Sequence, residues 1–192
     1  MSDAAAQRRA RQTVINLALS LLATLGLVLA IVLMVPRDDT SKIQHVDYVA
    51  IAKDAAKSSN FKIIAPDLPQ GWWSNSASWA AKPADTVPAF TAGFVGPKNE
   101  YIGMIQGFGG NPTWLALKLH GDQLTGAIPA KDSGHWDVYT SIEKHDPVKD
   151  WDYVRVLTIK PNDYVILFGN ASTKDFDLLA GSIESKEAQI VN

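Results

Sequence analysis

From Val14 to Val35 the chain carries no charged residue, and the run is dominated by Leu, Val, Ile and Ala, with Asn16 near its start. As a helix rising about 1.5 Å per residue, this segment reaches roughly 33 Å, against a bilayer hydrocarbon core of about 30 Å. A cleaved secretory signal is the alternative, but its apolar stretch is normally only about 7 to 15 residues and ends in small residues. Here the run ends Leu33-Met34-Val35-Pro36, with no small-x-small pattern, so an uncleaved anchor is expected over residues 14–35.

Arg8, Arg9 and Arg11 precede the run, whereas Arg37, Asp38, Asp39 and Lys42 follow it. The positive-inside rule then predicts a cytoplasmic tail (1–13), a short polar linker (36–45) that starts at the helix-stopping Pro36, and a domain outside the cell membrane (46–185). Residues 186–192 are read as a C-terminal tail.

Beyond residue 36 the chain holds 15 Lys and Arg against 19 Asp and Glu. This mildly acidic domain has no basic footprint for nucleic acid or anionic lipid head groups. Its length suits one domain of ordinary size, and a hydrophobic content of 46% supports a packed core. Cysteine is absent, which excludes disulfides, thiolate metal sites, a cysteine nucleophile and a lipoprotein anchor.

Tyr48, Val49, Ile51, Ala52, Ala55 and Ala56 recur at helical spacing and predict an amphipathic helix over 46–58. Strands are expected at 61–65, 72–80, 89–95 and 101–108, then a short helix after Asn111 with Pro112 at its first position. A second series follows: a short apolar run at 127–129, strands near 136–142, 153–159 and 164–169, and a helix over 173–183 capped by Ser172 or Thr173.

Pro97-Lys98-Asn99-Glu100-Tyr101-Ile102 matches Lys160-Pro161-Asn162-Asp163-Tyr164-Val165, each reading as a hairpin turn that feeds an apolar strand. Gly71-Trp72 and His135-Trp136 lie at corresponding distances upstream. The expected fold class is therefore α+β: two degenerate strand-strand-strand-helix copies joined into one antiparallel sheet, with helices on one side. Chance similarity of two hairpins is the alternative. The seam between the copies is where a groove is expected.

Leu68-Pro69-Gln70-Gly71-Trp72-Trp73-Ser74-Asn75-Ser76-Ala77, together with the stretch from Tyr164 to Ser172, resembles an actinobacterial family of anchored envelope proteins, domain-of-unknown-function family 4245. The resemblance implies a single-pass envelope protein and transfers no catalytic residue.

Chemistry-bearing residues are sparse. His135 and Asp137 share a face of a predicted strand, and His145-Asp146 follows, but no spacing supplies the further ligands a metal needs. His135 and Asp137 are weak metal or acid-base candidates, and surface residues are the simpler reading. His120-Gly121-Asp122 suits a helix C-cap. The glycines of 103–110 lack the Lys-Ser/Thr of a phosphate loop.

Six tryptophans, at 72, 73, 79, 114, 136 and 151, stand out, because flat rings can stack on sugars or anchor interfaces. Trp72, Trp73, Trp136, Tyr101 and Tyr164 are the candidate contacts for a ligand or partner. The expectation is a non-enzymatic envelope module without a cofactor, held in the lipid bilayer and binding a protein partner. The alternative is a cell-wall glycan or small ligand bound by exposed tryptophans, and a hydrolase built on His135 and Asp137 comes third.

Overall fold

The computed structural model describes residues 3–34, 44–131, 134–141 and 153–191. The expectations placed on Pro36 and the following linker, on Ile142, on His145-Asp146 and on Trp151 lie outside the described residues.

Two compact units divide the chain, Met1–Lys42 and Ile43–Asn192. The first contains helix α1 (Asp3–Met34), whose stretch Gln7–Met34 is long and apolar enough to cross a membrane. Its apolar side chains, Leu17, Leu25 and Leu33 among them, are exposed.

The second unit is α+β. Its helices are α2 (Tyr48–Ser58), α3 (Pro112–Lys118) and α4 (Thr173–Val191). Its strands are β1 (Trp73–Ala80), β2 (Ala89–Val95), β3 (Tyr101–Gly107), β4 (Gln123–Pro129), β5 (His135–Thr140), β6 (Tyr153–Lys160) and β7 (Asp163–Gly169). All seven form one sheet in the order β1-β2-β3-β7-β6-β5-β4, every pair antiparallel.

Alternation along the strands sorts their side chains to two faces. Phe90, Phe94, Ile102, Met104, Val165 and Leu167 turn to one face and are buried beneath Ala52 of α2 and Phe176, Leu179 and Ile183 of α4. Ile105, Val154, Val156, Ile166 and Phe168 turn to the other, where Trp114 of α3 packs on them. The helices thus lie on both sides of the sheet, not on one as the sequence suggests. Glycine decides this: a Cβ on Gly107 would lie 2.3 Å from the Trp114 ring, so only a bare backbone admits that indole on the second face.

Local capping follows the sequence. Asn111 accepts from the Trp114 N–H at 2.8 Å to start α3, and Asp47 accepts from the Ala50 N–H at 2.9 Å to start α2. Ser172 accepts from the Asp175 N–H at 3.3 Å and donates to its carboxylate at 2.5 Å, closing a reciprocal cap on α4. That helix continues to Val191, so the stretch read as a C-terminal tail is largely helical. Ties from Asp67 reach its later turns: Ser182 Oγ accepts from the Asp67 N–H at 2.6 Å, and Lys186 pairs with the Asp67 carboxylate at 3.0 Å.

Two further expectations are corrected. Residues 61–65 form no strand; the side chain of Gln106 holds them instead, accepting from the Ile64 N–H at 2.8 Å and donating to the Lys62 carbonyl at 3.0 Å. The run at 127–129 is the end of a full strand, β4, which forms the sheet edge beside β5.

The hairpin registers recur with an offset of 63 residues. Phe94 faces Ile102 as Leu157 faces Val165, and Thr91 faces Ile105 as Val154 faces Phe168. Asn99 and Asn162, in the matching turns, both adopt left-handed φ, 64° and 74°. In the outer strands the match shifts: Trp136 opposite Leu157 takes the place of Ser74 opposite Phe94, not that of Trp72. An irregularity between Ser74 and Ser76 in β1 is not matched between Trp136 and Thr140 of β5.

Candidate functional site

The five aromatic candidates do not converge. Trp136 is 1% exposed, on the face covered by α4, and its indole N–H donates to Glu184 at 2.7 Å. Tyr164 is buried on the opposite face, its ring stacked on Trp114 with centroids 6.2 Å apart. Tyr101 lies on that same face against Phe168, and burial pushes its hydroxyl pKa up. Trp72 and Trp73 are half-buried: Trp72 packs on the core, and Trp73 stacks on His45 at 4.3 Å with ring planes 8° apart. His45, placed in the linker by the sequence reading, thus joins the domain.

His135 and Asp137 do share a face, with Nε2 and Oδ1 3.0 Å apart. Burial first, and the Asp137 carboxylate second, push the pKa of the neighbouring Tyr139 hydroxyl up. Among the described residues no group of three His, Asp or Glu side chains is placed to hold a metal.

A cleft of about 180 Å³ opens where β3 and β7, the strands joining the two hairpins, run out at the pair Gly107–Tyr164. Phe61 forms one wall, 37% exposed and stacked on Phe108 at 4.5 Å, with Trp79 5.9 Å from both rings. Ile64, Gln106, Ile159 and Tyr164 line it further, and Asn60, Lys62, Lys160, Asp163 and Glu187 supply its polar groups. The β6–β7 turn is pinned beside it: the Gly109 N–H donates to Asp163 Oδ1 at 2.8 Å, and the Gly110 N–H to the Asn162 carbonyl at 2.7 Å.

The cleft lies at one end of the β3–β7 pair, and Tyr164 alone of the five aromatic candidates lines it. Phe61 and Gln106 escaped the sequence reading. A signal for Gln106 existed, since Tyr101-Ile102-Gly103-Met104-Ile105-Gln106 places one polar side chain on a wholly apolar face. Typical small-molecule sites occupy about 300–1,000 Å³, so this cleft is sized for a single side chain.

The fold is that of an α+β domain with one seven-stranded antiparallel sheet, following an N-terminal apolar helix in the chain. The chain belongs to the family described as protein of unknown function (DUF4245), whose sequence profile matches residues 9–183. No curated protein and no solved structure matches it.

Proposed function

We propose that this protein is a non-enzymatic module of the cell envelope, anchored by α1 with its N-terminus in the cytoplasm and its domain outside, and that it binds a polypeptide partner. The observation that carries this reading is the cleft beside Phe61, an aromatic wall over a volume suited to one inserted side chain. Aromatic residues in small, well-packed pockets are the usual anchors of protein interfaces. Arg8, Arg9 and Arg11, on the N-terminal side of the apolar run within α1, support the orientation.

The non-enzymatic reading rests on what the cleft's polar groups already do. Gln106 spends both ends of its amide on backbone, and Asp163 holds Gly109. Binding of a glycan through free tryptophans is less well supported, because Trp72 is packed on the core and one face of Trp73 is taken by His45. The recurring register of β2–β3 and β6–β7 supports two degenerate copies of the three strands, while the helices expected to complete the strand-strand-strand-helix units, α3 and α4, pack on opposite faces of the sheet.

A photo-crosslinking amino acid placed at Phe61 of the full-length chain in intact cells tests the reading, with the same substitution at exposed Leu124 as control. One discrete polypeptide adduct from position 61 alone is expected. Glycan adducts, or no adduct beyond that seen from position 124, would overturn it.

A further inference from the structure

The charges around the cleft differ in how they are employed. Asp163 accepts from Gly109, and Lys62 and Glu187 are each already engaged. Lys160, the exposed last residue of β6, lines the cleft, and its ammonium makes no hydrogen bond or ion pair among the described residues. The cleft thus combines room for one apolar side chain, an aromatic wall and an ammonium with no partner among the described residues. Asn60 adds an amide at the rim.

An internal residue of a partner would bring an apolar side chain with neutral backbone on both sides and leave the ammonium to water. A chain terminus brings an apolar side chain and a carboxylate on the same Cα. Resting on the function proposed above, we propose that the cleft takes the C-terminal residue of a partner polypeptide, its apolar side chain against Phe61 and its free carboxylate on Lys160. Capture of a terminal carboxylate is a recurring way of reading peptides.

The test uses the full-length protein in micelles and the pentapeptide GSGSF in two forms, with a free C-terminus and amidated, followed through the backbone amide shifts of Gly107 and Gly109. Ion pairs at protein surfaces are weak, so the acid should bind about two- to fivefold more tightly than the amide, with the difference shrinking in high salt. Lys160→Gln should bring the two peptides to the same affinity. Equal affinity for acid and amide in the unaltered protein would overturn the carboxylate inference while leaving a side-chain cleft in place. Tighter binding of free phenylalanine than of the peptide acid would overturn it in favour of an amino-acid site. Failure of both peptides to shift Gly107 would remove the proposal and weigh against the cleft as the binding site.

Discussion

Met104 of β3 stands directly opposite Leu167 of β7, and these two residues occupy the same place in two hairpins whose registers are offset by 63 residues. A local two-fold axis normal to the sheet therefore passes between them. It relates the Gly107 end of the central strand pair to the Asn170 end. At Asn170 the side chain accepts from the Tyr101 N–H at 2.8 Å, while Gly107 has no side chain with which to do the same. The cleft beside Phe61 lies at the glycine end, and a more open hollow lined by Lys98, Asn170 and Asp175 lies at the other.

Gln106 should prove essential to the cleft wall. Gln106→Leu keeps a buried side chain of similar size but strands the Ile64 N–H and the Lys62 carbonyl. An unsatisfied buried backbone group costs about 1–3 kcal/mol. Faster amide exchange over residues 60–66, with little change in α4, is the expected result; uniform acceleration across the domain would contradict this local role.

Arg155 is 2% exposed and sits on β6 beneath the start of α4, 2.7 Å from Asp177, with Tyr153 Oη accepting its Nε–H at 2.9 Å. Arg155→Ala should destabilise the domain by about 3–5 kcal/mol, since it leaves a hole and removes every tie at once. Asp177→Asn should cost less, about 1.5–3 kcal/mol, because the guanidinium keeps Tyr153 and lies over the Phe176 ring. Urea melts followed by tryptophan fluorescence measure both.

Trp136 and Glu184 tie the β4–β5 hairpin to α4, and Glu184 also accepts from the Lys131 N–H at 2.9 Å. Trp136→Phe should cost about 1–3 kcal/mol through the lost hydrogen bond and lost volume. Combined with Glu184→Ala in a double-mutant cycle, it should show a coupling of at least about 0.5 kcal/mol. Strict additivity would mean the bond contributes nothing.

Asp85 accepts from Lys118 at 3.0 Å and from the Trp114 indole at 2.9 Å, so it fastens α3 to the β1–β2 connection. The hydrogen bond from Lys118 is the main cause that holds its carboxyl below the usual Asp range; Trp114 adds to it, and partial burial opposes it. Because the folded pKa is the lower one, the stabilisation is full above the unfolded value of about 3.9 and is lost as pH falls through the folded value. Asp85→Asn should accordingly be less stable than the parent at neutral pH and converge with it in acid. A stability gap unchanged at the acid end would rule out the linkage.

The chain's lack of cysteine makes topology simple to read. A cysteine replacing exposed Lys57 should react with a membrane-impermeant maleimide in intact cells, whereas one replacing Gln7 should react only after permeabilisation. The reverse pattern would invert the proposed orientation.

The apolar helix, α2, the caps at Asn111 and Ser172, and the matching hairpins were all legible from the sequence, because each depends on neighbours within a few residues. Charge-free length, helical periodicity, capping side chains and turn chemistry are local properties. The face chosen by α3 was not legible, since it depends on Gly107 and Trp114 meeting across a gap that only the folded sheet creates. Nor was the fate of residues 61–65, which look like a strand but find their hydrogen bonds in the side chain of Gln106, more than 40 positions away. The five aromatic candidates were chosen by residue type, yet burial is set by register, and register sent Trp136 and Tyr164 to opposite faces. By itself, then, the sequence determined most of the elements, their order and the antiparallel hairpins, the segment at 61–65 and the full length of β4 excepted. Only tertiary structure decided which side chains line a cleft, because that follows from where strands end and which faces they share, and no short-range pattern encodes either.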